Sequence, residues 1–321
     1  MNRNEHENEH ENEGKNEHER EHGNERRNER ERECGNVTPD EHEKKPTLVL
    51  CGTGKTGRRV AERLEKRGLP VRIGSRSAET PFDWEDPATW APVLHGVDAA
   101  YLVYYPDMAV PGAADAVRRF AALAVEAGVR RLVLLSGRGE EAALVGERAV
   151  RESGADWTIL RGSWFAQNFS EHFLLEPVLS GEIALPAGAV AEPFVDAGDI
   201  ADVAVAALTE DGHAGRVYEL TGPRLLTFQD VAGEIGRAAG REVRYVPVSA
   251  AEYAAAATAE GVPEDLVSLM TYLFTEVLDG RNASLSDDVR RVLGRAPRDF
   301  VDFAREAAAA GVWSGVREAQ R

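Results

Sequence analysis

Only two of the 321 residues are cysteine, Cys34 and Cys51. So sparse a supply excludes a disulfide framework and suits a reducing, cytoplasmic compartment. No apolar run is long enough to cross a bilayer, and no apolar core follows the first charges. Neither a membrane span nor a signal peptide is therefore expected. Positive charge is also short, with 38 Lys and Arg against 55 Asp and Glu and a net of −17. That balance argues against nucleic acid or an anionic membrane as partner. A small-molecule substrate is the expected partner, and the chain is expected to be a monomer or homodimer.

Apolar side chains are almost missing from residues 1 to 46, where Glu, Asn, Arg and His repeat loosely. Such a stretch buries too little surface to offset the entropy of ordering, so a disordered tail is expected. Its five histidines lack a regular ligand spacing, so no metal site is expected. Initiation at Val37 instead of Met1 is an alternative that an intact mass would decide.

The chain then changes character. The apolar run Thr47–Cys51 leads directly into Gly52-Thr53-Gly54-Lys55-Thr56-Gly57, and a helix-like stretch, Arg58–Arg67, follows. A G-x-G-x-x-G loop between a strand and a helix is a dinucleotide fingerprint. Its first glycine permits the turn, its second lets backbone approach a pyrophosphate, and its third lets helix and strand pack. Phosphates would then sit at the positive helix end. Gly-Lys-Thr also ends the phosphate loop of nucleotide hydrolases. That loop needs a glycine five residues before Gly54, however, and Val49 stands there.

Selectivity is set about twenty residues on. The second apolar run, Pro70–Ile73, ends in Gly74-Ser75-Arg76-Ser77, with no carboxylate before Glu79. A guanidinium at that point suits a ribose 2′-phosphate, so NADP(H) is favoured over NAD(H). A solvated loop arginine is the alternative.

Strand and helix patterns alternate from residue 47 to about 165, which predicts an α/β fold with a doubly wound parallel sheet of Rossmann type. Strands are expected at Leu48–Cys51, Val71–Ile73, near Phe82, and at Ala99–Tyr104, Arg131–Ser136 and Trp157–Arg161. Helices are expected at Arg58–Arg67, Pro87–Leu94, Ala113–Ala127 and Gly146–Ser153. Beyond residue 165 the pattern loosens. A helix over Asp199–Leu208, a strand at Arg216–Leu220, a Thr227-capped helix to Ala239 and a strand at Val243–Val248 are expected. Residues 47–165 would form the cofactor-binding core. Residues 166–321 would form mainly a smaller α/β substrate lobe, partly returning to the core. Chemistry in such folds gathers just after the strands.

Several stretches together resemble the NmrA-like group of atypical short-chain dehydrogenases, and most closely the ergot-alkaloid branch of festuclavine and agroclavine synthase type. They are Gly52–Arg58, Gly74–Ser77, Phe82–Asp86, Tyr101–Val103, Arg131–Ser136, Trp157–Arg161, Trp164–Ser170, Phe194–Asp196 with Asp199–Ala201, and Leu225–Ala232. The resemblance spans roughly residues 47 to 305 and implies a Rossmann-type fold using NADPH. It implies that Gly52, Thr53, Gly54, Lys55, Thr56, Gly57 and Arg58 hold the pyrophosphate and that Ser75 and Arg76 hold the 2′-phosphate. Asp83 and Trp84 would flank adenine, and Val103, Tyr104 and Tyr105 the nicotinamide ribose. Trp164, Phe165 and Asn168 would border nicotinamide and substrate; ordinary packing is the alternative for all three.

Two departures matter. Where the family commonly has Leu-Arg-Pro, this chain has Leu160-Arg161-Gly162. More important, no tyrosine lies between Tyr105 and Tyr218, so the Tyr-x-x-x-Lys pair of ordinary short-chain dehydrogenases is missing and Ser136 stands without its partners. Reducing a ketone creates an alkoxide that needs a proton donor or positive charge. Hydride delivery to an iminium gives a neutral amine, so an NADPH-dependent imine, iminium or activated-double-bond reductase fits best. A non-catalytic redox sensor of NmrA type and a quinone or azo reductase are the alternatives. Ser136, His172 and Glu147 are the catalytic candidates, with Glu171 and Asp196 as further acids, although Asp196 and Asp199 are better placed to cap a helix.

Overall fold

The computed structural model describes residues 45–314. The tail reading for residues 1 to 44 lies outside them. Strands run in chain order as β1 (Thr47–Leu50), β2 (Val71–Gly74), β3 (Ala99–Leu102), β4 (Arg131–Gly137), β5 (Asp156–Gly162), β6 (Glu182–Leu185), β7 (Ala191–Glu192), β8 (Arg216–Leu220), β9 (Leu226–Thr227) and β10 (Arg244–Pro247). Six of them form one parallel sheet in the order β2-β1-β3-β4-β5-β8. β6 pairs with β10 in parallel, and β7 with β9 antiparallel.

The apolar runs of the central strands follow from having both faces covered. Leu48 and Leu50 pack with Val117, Phe120 and Ala121 of the helix Ala113–Glu126 and with Val150 of the helix Ala143–Arg151. Val49 points the other way, into Val60 and Leu64 of the helix Gly57–Lys66 and into Ile200, Val203 and Ala204 of the helix Ala197–Thr209. This is the doubly wound architecture expected. A third apolar cluster, around Phe169, Phe194, Phe228, Ile235 and Phe300, gathers the residues after 165. Trp313 fastens it by donating its indole N–H to the Phe169 carbonyl at 2.8 Å.

The strand expected near Phe82 does not form. Pro81 lacks an N–H, and the Asp83 and Asp86 carboxylates accept from Glu85 N and Ala88 N, so the backbone finds its partners locally. Only an isolated bridge, Asp83 with Asp86, remains. β2 is therefore the sheet edge, and the order reverses between β1 and β3. Ligands of open α/β sheets bind beyond the carboxyl ends of the strands at such a reversal. The helix expected to start at Gly146 starts instead at Ala143, because Glu140 and Glu141 carbonyls accept from Ala143 N and Leu144 N. The Thr227 and Asp196 caps match the sequence reading, whereas Asp199 does not cap: it lies in the first turn of the helix Ala197–Thr209, where its carboxylate accepts from Arg298 N at 2.7 Å and pairs with Arg295. Thr227 and Asp230 form a reciprocal capping box, and Asp196 accepts from Gly198 N.

Candidate functional site

The glycine loop has the shape that a pyrophosphate needs. A β-carbon on Gly57 would fall 2.2 Å from the Cys51 carbonyl oxygen, and one on Gly52 would fall 2.8 Å from the Ile73 side chain. Cys51 itself turns the chain with φ of +50°, and Gly54 N donates back to its carbonyl at 2.8 Å. The result is a tight bend that delivers the N-terminus of the helix Gly57–Lys66 to the end of β1. At Gly54 a β-carbon would meet only Cys51, its carbonyl oxygen at 3.1 Å and its β-carbon at 3.9 Å. The second glycine is thus the least enclosed of the three, as close approach by a ligand requires.

A cavity of about 580 Å³ opens from this loop, within the range of small-molecule sites. Thr53, Gly54, Lys55, Thr56 and Arg58 line one end. Val103, Tyr104 and Asp107 enter from the carboxyl end of β3, and Ser136, Arg138 and Glu140 from that of β4. Trp164, Phe165, Asn168 and His172 follow β5. Leu266, Leu269, Met270 and Leu273 cover the cavity from the helix Glu264–Tyr272 and the π turn after it. Fourteen of the residues named from sequence therefore meet in one cavity: Thr53, Gly54, Lys55, Thr56 and Arg58 of the loop, Val103, Tyr104 and Tyr105, Ser136, and Trp164, Phe165, Asn168, Glu171 and His172.

Lys55 crosses from the loop to the far wall. Its ammonium donates to Asn168 Oδ1 and lies 5.7 Å from the centre of the Phe165 ring. Desolvation lowers its pKa to about 8, against an opposing pull from Glu171. Burial favours the neutral form of Glu171, but hydrogen bonds from Arg59 and Arg58 overcome it and hold that carboxyl below its usual range. His172 borders the cavity beside Phe173, and desolvation, then the Lys55 charge, push it down to about 4. It is neutral at pH 7 and poorly placed to donate a proton.

Gly162, which departs from the family pattern, has a packing reason. A β-carbon there would lie 2.9 Å from the Phe165 ring, so glycine lets that ring press against the end of β5. Trp164 stacks on Phe274 at 5.0 Å, and this fixes the aromatic wall.

Glu147 lies outside the cavity lining. It is 1% exposed, accepts from Ser136 Oγ at 2.9 Å and is forked by Arg161 through two 2.7 Å bonds. Arg161 continues to Glu219, which binds Arg138. Ser136 is thus held by a carboxylate, and on the same helix Gly146 abuts Met108. Trp84 is a core ring, with its indole N–H on the Val103 carbonyl at 2.9 Å and Phe82, Trp90, Tyr104 and Phe120 around it. The Asp83 carboxylate caps its own turn. Arg76 is exposed beyond β2, beside Ser75, and has no ion-pair partner among the described residues.

Sequence reasoning missed Asp107, Arg138 and Glu140. All three follow strands, which was the one available signal. Burial raises Asp107, and burial together with the adjacent Asp107 carboxyl raises Glu140 well above the carboxylate range.

Residues 52–211 match the family of NAD(P)H-binding proteins. An uncharacterized oxidoreductase, YesF, of Bacillus subtilis is 36% identical over 85% of this chain and 98% of its own. The NAD(P)H azoreductase of Xenophilus azovorans is 33% identical over 82% and 98%. The agroclavine dehydrogenase of Claviceps fusiformis is 32% identical over 81% and 96%. In fold, the chain is similar to the triphenylmethane reductase of Citrobacter sp. complexed with NADP(H), with a TM-score of 0.65, 22% identity and coverage of 82% and 99%. With an NAD(P)H-binding family match and relatives named as oxidoreductase, azoreductase and dehydrogenase, the chain belongs to the class of NAD(P)H-dependent oxidoreductases. Within it, the chain is a member of the NmrA-like family, in the branch of the clavine dehydrogenases and synthases. Among the described residues no helix is long and apolar enough to cross a membrane.

Proposed function

We propose that this NAD(P)H-dependent oxidoreductase is an NADPH-selective reductase that delivers hydride to an imine, an iminium or an activated double bond of a small organic substrate. The observation that carries the reading is the one cavity shared by the glycine loop and the aromatic wall of Trp164 and Phe165, in which Ser136 is bonded to Glu147 rather than to a phenol or a lysine. Gly52 to Arg58 would hold the pyrophosphate on backbone N–H groups and the helix end. Ser75 and Arg76 would hold the 2′-phosphate, and Val103 and Tyr104 the nicotinamide ribose. When bound, the dinucleotide supplies the hydride. The chain's own work is to orient and to exclude water. Trp164 and Phe165 present flat apolar faces, Asn168 fixes Lys55, and Leu266, Leu269 and Met270 close the apolar side. Residues 166–321 would serve mainly as the substrate lobe.

Agroclavine dehydrogenase among the relatives supports the reading. The azoreductase supports a second one, reduction of azo or quinone acceptors. The test is consumption of NADPH by purified protein against a panel of imines, enones, quinones and azo compounds. Turnover of imines or enones is expected. Tight NADP(H) binding with silence across the panel would replace catalysis by the sensing role.

A further inference from the structure

Asp107 and Glu140 come from different strand ends yet line the same cavity with their side chains within hydrogen-bond reach of each other. The Glu140 carboxyl folds back on Gly137, the last residue of β4; a β-carbon there would lie 2.0 Å from Glu140 Cδ. Its Oε2 is buried and no donor reaches it. The group it does face is the Asp107 carboxyl. Asp107 Oδ1 accepts from Ala109 N at 2.8 Å. Two carboxylates can satisfy one another only through a proton, and two like charges this close resist joint ionisation.

No cation relieves the pair. Among the described residues neither carboxyl has an ion-pair partner, whereas buried Glu147 has two. Tyr272 of the helix Glu264–Tyr272 feels both carboxyls together with Glu141 and Arg281; Arg138, Lys55, Tyr104, Tyr105 and His172 line the same cavity, and Asp279 pairs with Arg281. Arg138 is already bound to Glu219 and to the carbonyls of Asn282 and Ser284. Arg281 is bound to Asp279 and Glu141.

We propose that Asp107 and Glu140 hold one proton between them and serve as the acid that protonates the acceptor, beside the strand end where Ser136 lacks its usual partners. The inference rests on the reductase reading and widens its substrate class. Acceptors that need a proton on a heteroatom, namely a neutral imine, an azo group, a quinone or an enone, join those that need none. The balance closes. The acceptor takes a hydride, with its two electrons, from the reduced nicotinamide dinucleotide. The carboxyl O–H bond breaks, and an N–H or O–H bond forms on the acceptor heteroatom. The pair, left with two negative charges, takes a proton from water as product leaves.

Two arms test this on the full chain. Infrared spectroscopy of the protein alone should show a protonated-carboxyl C=O band at neutral pH, absent from both Glu140→Gln and Asp107→Asn. With a quinone acceptor, either variant should lose about 100-fold in kcat, the lower range for a general acid. Turnover of a preformed iminium, which needs no proton, should fall far less, so that the ratio of quinone to iminium kcat drops by more than about tenfold. The wild-type fall in kcat with rising pH should also vanish. Absence of the band in the wild type, or wild-type quinone rates in folded variants, overturns the proposal. A band with no turnover of any acceptor by the wild type overturns the reductase reading, and the donor role with it, while the shared proton stands. If Glu140→Gln does not fold, Asp107→Asn removes the same proton from the other side.

Discussion

Lys55 and Asn168, 113 positions apart, are joined by a hydrogen bond that spans the cavity from the glycine loop to the first turn after β5. An ammonium there is held away from water, which is why its pKa falls to about 8. Anion binding favours the charged form, so dinucleotide binding should take up a proton above that pH. NADPH affinity should be constant below about pH 7 and should weaken as pH rises through 8. Lys55→Met should bind more weakly at pH 7 and lose this slope. Fluorescence titration across pH 6 to 9.5 measures both, and a slope that survives in Lys55→Met would remove Lys55 from the phosphate site.

The three loop glycines should separate by experiment. At Gly57 a methyl group meets backbone, Cys51 O at 2.2 Å, which cannot step aside. Overpacking of that kind costs about 1–3 kcal/mol, so Gly57→Ala should lower Tm and abolish cofactor binding together. Gly54→Ala, with its nearest atom at 3.1 Å, should melt near the wild type and still bind poorly. Calorimetry with a binding isotherm on each variant checks the pair.

Much of this was legible in the sequence, for a reason visible at β1. Its apolar run, the glycines and the helix after them are local signals, and each fixes one element by sterics or burial. The same locality explains Thr227 with Asp230 and Asp196 at its helix end. What was not legible depends on tertiary choice. Phe82 looks like a strand residue and Trp84 like an adenine wall, but both rings are taken by the core, Phe82 N donates to the Ser75 carbonyl, and the Asp83 and Asp86 carboxylates bind Glu85 N and Ala88 N. Glu147 looks like a free acid until Arg161 arrives from the next strand. Asp107 and Glu140 acquire meaning only when β3 and β4 lie side by side.

Trp84 shows how that difference would be measured. If it served only as an adenine wall, Trp84→Ala would weaken cofactor binding and leave the fold intact. Enclosed by four aromatic rings and bonded to Val103 O, it should instead cost about 3–5 kcal/mol of stability. A denaturant midpoint within error of the wild type would return Trp84 to the binding surface.

Glu147 should behave as an anchor. Glu147→Gln removes the buried charge that Arg161 forks while keeping an oxygen that can accept from Ser136, and breaking such an ion pair costs about 3–5 kcal/mol. Stability should fall by an amount of that order, while kcat per folded molecule changes little. A catalytic acid would give the reverse, an unchanged melting curve with lost turnover.

Arg76 carries the choice of cofactor. It is exposed at the end of β2, no carboxylate engages it among the described residues, and Ser75 and Ser77 flank it with hydroxyls 3.4 Å apart. A guanidinium so placed can meet a 2′-phosphate with charge-assisted hydrogen bonds worth about 1.5–3 kcal/mol. Arg76→Ala should therefore raise the Kd for NADPH by about 10- to 150-fold and leave that for NADH nearly unchanged, since 1.4 kcal/mol is a factor of ten. Arg76→Asp should go further, repelling the phosphate while offering the ribose 2′-hydroxyl an acceptor, and so invert the preference. Equal losses for both dinucleotides would mean that the loop reads neither, and selectivity would have to be sought elsewhere on the cavity rim.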